Sequence, residues 1–141
     1  MNAGIEKALE IAISAHKGQK DKAGKPYIFH PVIVASRMET EEGIMAALLH
    51  DVVEDSDITI EDIRAAGFPD SVVEAVRALT HADGEDYFDY IRTVQGNDLA
   101  VRVKIQDLNH NSDLSRLEVI TEKDRKRAEK YKVALCMLAG K

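Results

Sequence analysis

The sequence predicts an all-α helical bundle, and three observations support this prediction. Ala, Leu, Ile, Glu and Lys are abundant, Trp is absent and only three Pro occur in 141 residues; this composition favours helices. Apolar residues recur at intervals of three and four along most of the chain, which is the period of an amphipathic helix. Short Gly-, Asn- or Asp-containing breaks separate these stretches, as expected for a bundle with short connections.

The first helices are predicted from residue 4 to residue 53. Residues 4–18 carry an apolar stripe, and the Gly-, Pro- and Lys-rich segment that follows is predicted to be a loop. Pro31 suits the first turn of the next helix, which is expected to reach Met38. Residues 41–53 are the most apolar segment, so we expect them to form the central helix, with a turn over residues 54–57.

The second half of the chain continues the same pattern. Thr59 and Asp62 resemble a capping box for a short helix that ends at Gly67. Further helices are predicted over residues 72–79, 86–95, 99–108 and 122–138. Val101 to Ile105 alternate apolar and basic residues, so a strand is conceivable there, but the helical flanks favour a helix.

Composition and charge narrow the class of protein. We find no repeat, low-complexity tract or linker, so one domain over residues 1–141 is the simplest organisation. The net charge of −6 does not favour binding to nucleic acid, which requires neutralisation of phosphates. No signal peptide and no apolar run of about 20 residues is evident, so no membrane span is expected.

The single cysteine bears on the cellular compartment. Cys136 permits no internal disulfide, which agrees with a cytoplasmic location. Its apolar neighbours predict a buried, unreactive thiol. The sequence leaves the oligomeric state open.

The strongest chemical signal lies at the end of the predicted central helix, where the sequence reads HDVVED. If helical geometry persists, His50 stacks over Glu54 and Asp51 over Asp55. Carboxylates this close repel one another, and acidic groups at a helix C-terminus oppose the helix dipole, so the segment favours a bound cation. The alternative, a helix end with solvated acids, is about as probable from this segment alone.

Two further residues complete a possible metal site. His30 precedes Pro31, and Asp107 lies among apolar neighbours that place it near the core. One metal with mixed nitrogen and oxygen ligands suits Mn²⁺, Fe²⁺, Co²⁺ or Zn²⁺ better than Ca²⁺. His110 is a rival donor in the same segment as Asp107. Lys22, Lys25 and Lys104 are candidate phosphate contacts, although simple solvation is the more common role of a lysine.

Three segments taken together resemble successive motifs of the HD hydrolase domain of the RelA/SpoT family. They read AHKGQKDKAGKPYIFHP, HDVVEDS and VKIQDLNHN, and their order and spacing agree with the family. The segment LTHADGEDYFDYI is similar to the stretch between the second and third motifs. The resemblance covers residues 5–135. Because this sequence shows no synthetase domain, we expect the small alarmone hydrolases, which include the metazoan SpoT homologue, to be its nearest relatives.

The resemblance implies a function and a set of site residues. Members of the family remove the 3′-pyrophosphate from (p)ppGpp, typically with Mn²⁺. The metal ligands would be His30, His50, Asp51 and Asp107. The acidic pair Glu54 and Asp55 would position and activate the attacking water. Substrate contacts would come from Lys22, Tyr27 and Asn111, beside Lys104 from the residue pattern.

The chain also departs from the family pattern in ways that bear on the substrate. Asp21 stands where the family usually has an Arg that holds the guanine base, and Leu108 replaces the Arg that often follows the third-motif Asp. Three hypotheses therefore remain: a (p)ppGpp 3′-pyrophosphohydrolase, an HD phosphohydrolase acting on another nucleotide or dinucleotide cofactor such as NADPH, and a non-catalytic nucleotide sensor. The intact acidic and histidine residues argue against the sensor.

Overall fold

The computed structural model describes residues 3–140, and the fold over that range is all-α, as the sequence predicts. The helices are α1 (Ala3–Ala15), α2 (Phe29–Ser36), α3 (Glu41–Leu49), α4 (Val52–Asp55), α5 (Ile60–Ala65), α6 (Asp70–Leu79), α7 (Tyr87–Gln95), α8 (Asp98–Asn111) and α9 (Glu122–Ala139). A short 3₁₀ turn, Leu114–Arg116, precedes α9. The segment Val101 to Ile105 is helical, so the strand alternative is wrong.

Helix α3 lies at the centre of the bundle. It packs against α1, α2, α6 and α8, and every residue from Met45 to Leu49 is buried. A helix that is apolar on all sides is stable only when neighbours cover it on all sides. The residues that follow α3 are therefore carried into the interior.

The predicted central helix does not run to residue 53. It ends at Leu49, turns through His50 and Asp51, and resumes as α4. At the turn the His50 amide approaches the Ala47 carbonyl at 3.4 Å, three residues back, so the helix tightens before it ends. The Asp55 amide then donates to the Asp51 carbonyl (3.0 Å). Glu54 and Asp55 therefore belong to α4, so the turn predicted over residues 54–57 is present only at Ser56 and Asp57.

Side-chain caps define where most helices begin. The Thr59–Asp62 capping box is present as predicted, and Thr121 with Asp124 forms a second one at the start of α9. Asp86 caps α7 and Asn97 caps α8. These caps satisfy amides that have no partner within the helix. Helix α6 begins at Asp70, directly after Pro69, which is two residues before the start that the sequence predicts.

The segment between α1 and α2 is an ordered hairpin-like loop. Lys20 and Pro26 form an isolated antiparallel bridge. The Asp21 amide donates to the Lys25 carbonyl (2.8 Å), and Gly24 turns the chain with a φ of +83°. The Tyr27 amide donates to the Gln19 carbonyl (2.9 Å). These bonds bring the loop back beside the start of α2.

Two predictions about the surface were tested by the fold. The Cys136 thiol is exposed, so the prediction of a buried thiol is wrong. Ala134 and Leu138 are buried on the inward side of α9. Cys136 lies two positions from each of them, which is about 200° around the helix, and so it lies on the outward side.

Among residues 3–140, no helix is both long enough and apolar enough to cross a membrane.

We expect Leu49→Ala to lower the free energy of unfolding by about 2–5 kcal/mol. Leu49 is fully buried on α3 next to the turn that carries His50. The measurement is equilibrium urea unfolding in the presence of EDTA, with Val119→Ala as the control because Val119 is 75% exposed. Equal midpoints for the two variants would contradict the central position of α3.

Candidate active site

Four predicted metal ligands come together from three separate parts of the fold. His30 lies on α2, His50 and Asp51 form the turn between α3 and α4, and Asp107 lies on α8. One donor atom from each of the four lies within 4.8 Å of every other. His30, His50 and Asp107 are almost completely buried. Residues far apart in sequence thus present two imidazoles and two carboxylates to one point.

The Asp107 carboxylate is the hub of this group. Its Oδ1 lies 2.6 Å from His30 Nε2 and 3.2 Å from His50 Nε2. Asp51 Oδ2 lies 3.1 Å from His50 Nε2 and 4.0 Å from His30 Nε2. The four donor atoms therefore point toward one common centre, and both histidines direct their Nε2 atom to it.

The other ring nitrogen of each histidine is held by the protein. His50 Nδ1 donates to the Ala47 carbonyl at 2.5 Å, so Nδ1 carries a proton and Nε2 faces the carboxylates. His30 Nδ1 lies 2.7 Å from His110 Nδ1, and the two rings stack at 4.9 Å with an interplanar angle of 18°. Metal-binding histidines are typically oriented in this way by a hydrogen bond at the opposite nitrogen.

Neighbouring polar groups also orient the carboxylates. The Tyr27 hydroxyl donates to Asp51 Oδ2. Lys104 Nζ donates to Asp107 Oδ2 (2.8 Å), and Asn111 Nδ2 donates to Asp107 Oδ1 (3.2 Å). Lys104 and Asn111 lie three residues before and four residues after Asp107, so helix α8 places all three on one face.

Electrostatics favour ionised carboxylates in spite of their burial. Burial opposes the charge on Asp51, yet His50 beside it lowers the pKa of Asp51 to about 2. Burial likewise opposes the charge on Asp107, but Lys104 and His50 hold its pKa well below the ordinary value. Burial would lower the pKa of His50, and the two carboxylates raise it instead. Both carboxylates are therefore held in their ionised form inside the bundle.

The residues present fit a divalent cation. Buried carboxylates are stable only when they are paired or bind a metal, and here two converge with two nitrogens whose opposite sides are already hydrogen-bonded. Mixed imidazole and carboxylate donors suit a first-row transition metal. Three of the four donors are buried while Asp51 is 18% exposed in its side chain, which leaves an open side toward the surface.

Glu54 and Asp55 lie on that open side, one turn beyond His50 and Asp51. Glu54 Oε1 accepts from the His81 amide (2.9 Å), which fixes its carboxylate beside the cluster. Partial burial raises the pKa of Glu54, with Asp51 adding to the rise. Burial, Asp51 and Glu54 together raise the pKa of Asp55 to about 6. Carboxylates with raised pKa values near a metal site can accept a proton from water near neutral pH.

The metal cluster opens into a cleft of about 530 Å³, which we call the catalytic cleft. Its wall contains five carboxylates, from Asp51, Glu54, Asp55, Glu85 and Asp107. Two lysines balance them in part, Lys104 and Lys130. Aromatic rings from α7 and α9, including Tyr87 and Tyr131, form the remaining side.

A second cavity of about 260 Å³ adjoins the catalytic cleft, and we call it the basic pocket. It lies between the loop after α1, the 3₁₀ turn and α9. Four cationic side chains line it, Lys20, Lys22, Arg116 and Arg127, and exceed by one its three carboxylates, Asp21, Asp113 and Asp124. Tyr27, Asn111 and Tyr131 line both cavities. The two cavities are therefore neighbours, separated by these three side chains.

Asp21 has a structural role within the basic pocket. Its Oδ1 accepts from the amides of Ala23 (2.9 Å) and Lys25 (3.0 Å), which closes the turn of the loop. Its Oδ2 lies 3.6 Å from Arg116 Nη1. Both oxygens are thus engaged, and the cation beside Asp21 comes from the 3₁₀ turn after α8.

The sequence-predicted residues distribute over both cavities. Tyr27, Lys104 and Asn111 contact the carboxylates of the cluster, while Lys22 lines the basic pocket. Lys25 lines neither cavity. His110, the rival donor, contacts His30 and lies outside the four-residue group. Sequence analysis missed the residues that the turn and α9 supply, namely Arg116, Arg127, Lys130 and Tyr131, because no local pattern distinguishes them from surface charges and core aromatics.

Comparisons with known proteins agree with this geometry. The chain is 33% identical over 138 residues to the guanosine-3′,5′-bis(diphosphate) 3′-pyrophosphohydrolase of Aquifex aeolicus (strain VF5), which covers 89% of this chain and 19% of that protein. It is 34% identical over 122 residues to the bifunctional (p)ppGpp synthase/hydrolase SpoT of Escherichia coli (strain K12), covering 76% and 17%. The chain thus spans less than a fifth of these curated relatives, and its organisation as one domain stays a prediction.

A solved structure is similar over nearly the whole chain. A metazoan orthologue of SpoT, described as hydrolysing ppGpp, superposes with a TM-score of 0.77 and 27% identity over 98% of this chain and 86% of that one. The sequence model of the HD domain matches residues 8–108, which include all four residues of the metal cluster. The chain therefore belongs to the HD domain family.

Proposed function

We propose that this protein is a metal-dependent phosphohydrolase that releases pyrophosphate from the 3′ position of (p)ppGpp. The observation that carries the proposal is an acidic catalytic cleft that shares three lining residues with a neighbouring basic pocket. A substrate with phosphate groups at both ends of a nucleoside suits this arrangement. The 3′-diphosphate would lie at the metal cluster, and the nucleoside with its 5′-phosphates would lie toward the basic pocket.

The comparisons support the same substrate class. The curated relatives from Aquifex aeolicus and Escherichia coli carry names that specify (p)ppGpp hydrolysis, and the similar solved structure is described as hydrolysing ppGpp. The regions matched in this chain include the metal cluster. The chain covers less than a fifth of each of these curated relatives. We therefore assign to it only their hydrolase activity and not the synthase activity of the bifunctional relative.

In this proposal His30, His50, Asp51 and Asp107 hold one divalent cation, with Mn²⁺ as the preferred ion. The chemistry supplied by such a cation is Lewis-acid polarisation of a phosphoryl oxygen and of water. Glu54 accepts the proton of the attacking water, and Asp55 orients that water toward phosphorus. Both carboxylates lie at the open side of the cluster, and their raised pKa values suit proton transfer near neutral pH.

The remaining predicted residues orient ligands and substrate. Tyr27 holds Asp51 through its hydroxyl and forms the boundary between the two cavities. Lys104 and Asn111 hold Asp107 and also line the catalytic cleft. Lys22 would contact the 5′ side of the substrate in the basic pocket. Its exposed side chain and its place in a cavity next to the catalytic cleft support this assignment.

A second candidate function is hydrolysis of another nucleotide or of a dinucleotide cofactor such as NADPH. Asp21 favours it, because an acid stands at the position where the family usually has an Arg that holds the guanine base. The Asp21 carboxylate is itself engaged by Arg116 and by two loop amides. The sensor hypothesis is weaker, since all proposed catalytic and ligand residues are present. A cytoplasmic location also stays a prediction.

The first experiment measures pyrophosphate release from ppGpp by the purified protein with Mn²⁺, beside ordinary nucleotides and NADPH. We expect selective release from ppGpp. Asp51→Ala should abolish turnover and weaken metal binding by more than the ~10–100-fold typical of losing a residue that only supports a ligand. Asp57→Ala, which changes an exposed acid in the same segment, is the matched control.

Other outcomes of that experiment separate the hypotheses. Phosphate release from a different compound, with ppGpp untouched, would support the second candidate function. Full metal content in Asp51→Ala by elemental analysis would remove Asp51 from the ligand set. Metal binding without turnover of any compound would leave the sensor hypothesis.

We expect Glu54→Gln to retain metal but to lose about 10²–10⁴-fold in kcat, because the amide cannot accept the proton from water. The amide oxygen can still accept from the His81 amide, so the geometry is conserved. The measurement is turnover at saturating Mn²⁺, with Glu61→Gln on α5 as the control. Near-normal turnover of the metal-loaded variant would exclude Glu54 as the base.

We expect His110→Phe to weaken Mn²⁺ binding by about 10–100-fold, because His30 Nδ1 loses its partner. His110→Asn, which can place an acceptor oxygen near the position of Nδ1, should recover part of that affinity. Competition with a chelator gives the dissociation constants, and melting curves in EDTA show whether both variants fold. Wild-type affinity in His110→Phe would show that His110 does not orient His30.

A further inference from the structure

One wall of the catalytic cleft contains a cation that the proposed mechanism does not use. Lys130 lies on α9, and its Nζ is 4.5 Å from the centroid of the Tyr87 ring and 5.9 Å from that of Tyr131. All three side chains line the catalytic cleft together with Asp51 and Asp107 of the metal cluster. Aromatic faces attract an ammonium group without neutralising it, so the rings hold the charge at the wall.

The two lysines of the cleft differ in how their charge is used. Lys104 is largely buried and donates to Asp107, so its charge offsets a ligand carboxylate. Lys130 is exposed, and among residues 3–140 no carboxylate oxygen lies within 4.0 Å of its ammonium group. Its charge therefore remains available to an anion in the cleft.

Tyr87 supplies a second, independent observation at the same wall. Its hydroxyl is buried, and it has no hydrogen-bond partner within the described part of the chain. A buried hydroxyl without a partner is unfavourable, and such groups call for a bound water, ion or ligand. A phosphate oxygen in the cleft could accept this hydrogen bond.

We propose that Lys130 and Tyr87 form a phosphate-binding subsite that receives the pyrophosphate part of the substrate. This subsite rests on the proposed function, because it takes the anion that the reaction would release. The anion must enter a cleft whose wall contains five carboxylates. A divalent cation on one side and Lys130 on the other would offset that repulsion. The diphosphate would thus lie between the metal cluster and the α7–α9 wall.

The test uses inorganic pyrophosphate as the probe, because its binding does not depend on turnover. Isothermal titration of the Mn²⁺-loaded protein would compare wild type with Lys130→Met, Lys130→Arg and Tyr87→Phe. The matched control is Lys132→Met, which removes an exposed lysine of the same helix that does not line the cleft. Dissociation constants for Mn²⁺ and melting temperatures would be measured for every variant.

We expect the Kd for pyrophosphate to rise about tenfold in Lys130→Met, as typical of a lost charge-assisted hydrogen bond. A rise of about threefold or more is expected in Tyr87→Phe, with recovery in Lys130→Arg. Lys132→Met should stay within about twofold of wild type, and Mn²⁺ affinity should not change.

Three results would overturn the subsite. These are unchanged pyrophosphate binding in Lys130→Met, unchanged binding in Tyr87→Phe, and an equal loss in Lys132→Met, which would reveal a general effect of surface charge. Failure of the proposed function is distinguishable. A protein that does not hydrolyse ppGpp, yet loses pyrophosphate affinity only in the Lys130 and Tyr87 variants, would keep the subsite and change the substrate.

Discussion

The buried carboxylate of Asp107 is the constraint on which the rest of the structure depends. An ionised group at this depth is stable only if surrounding donors or a cation compensate it, and four side chains from three helical regions converge on it: His30, His50, Lys104 and Asn111. Helix α8 supplies the carboxylate together with its lysine and its amide. Helix α2 and the turn after α3 supply the histidines. The geometry of the metal cluster therefore depends on how these helices pack against α8.

The break after Leu49 gives this centre its open side. A continuous helix through residue 53 would keep His50 and Asp51 in regular helical positions, whereas the turn lets His50 bond back to the Ala47 carbonyl and points its Nε2 at the carboxylates. Helix α4 then resumes and carries Glu54 and Asp55 to the rim. Deep ligands and a partly hydrated acidic pair are thereby separated by a single turn, which suits a site that binds a cation inside and receives water from outside.

The division into an acidic cleft and a basic pocket follows from which elements meet at Tyr27, Asn111 and Tyr131. The ligands of the cluster come from α2, the α3–α4 turn and α8, and all but one of their donors are buried. The cations come from the loop after α1, the 3₁₀ turn and α9, where exposed side chains are easily exchanged. The metal cluster is therefore fixed by the packing of the core, whereas Asp21 and its partner Arg116 depend only on contacts between a loop and a turn.

The sequence by itself determined the helical class and most helix positions, and its dense HDVVED run indicated His50 and Asp51 as possible metal ligands. Local periodicity, capping residues and clustered ionisable groups carry this information, and all of them are visible along the chain. His30 and Asp107 completed the predicted set through the resemblance of three motifs to a known family. Tertiary structure alone decided that His110 contacts His30, that Asp21 closes a loop beside Arg116, and that Lys130 packs over the Tyr87 ring in the lining of the catalytic cleft. Each of these contacts joins residues at least 43 positions apart, or depends on which side of a helix meets a neighbour, and no local pattern encodes such a distance.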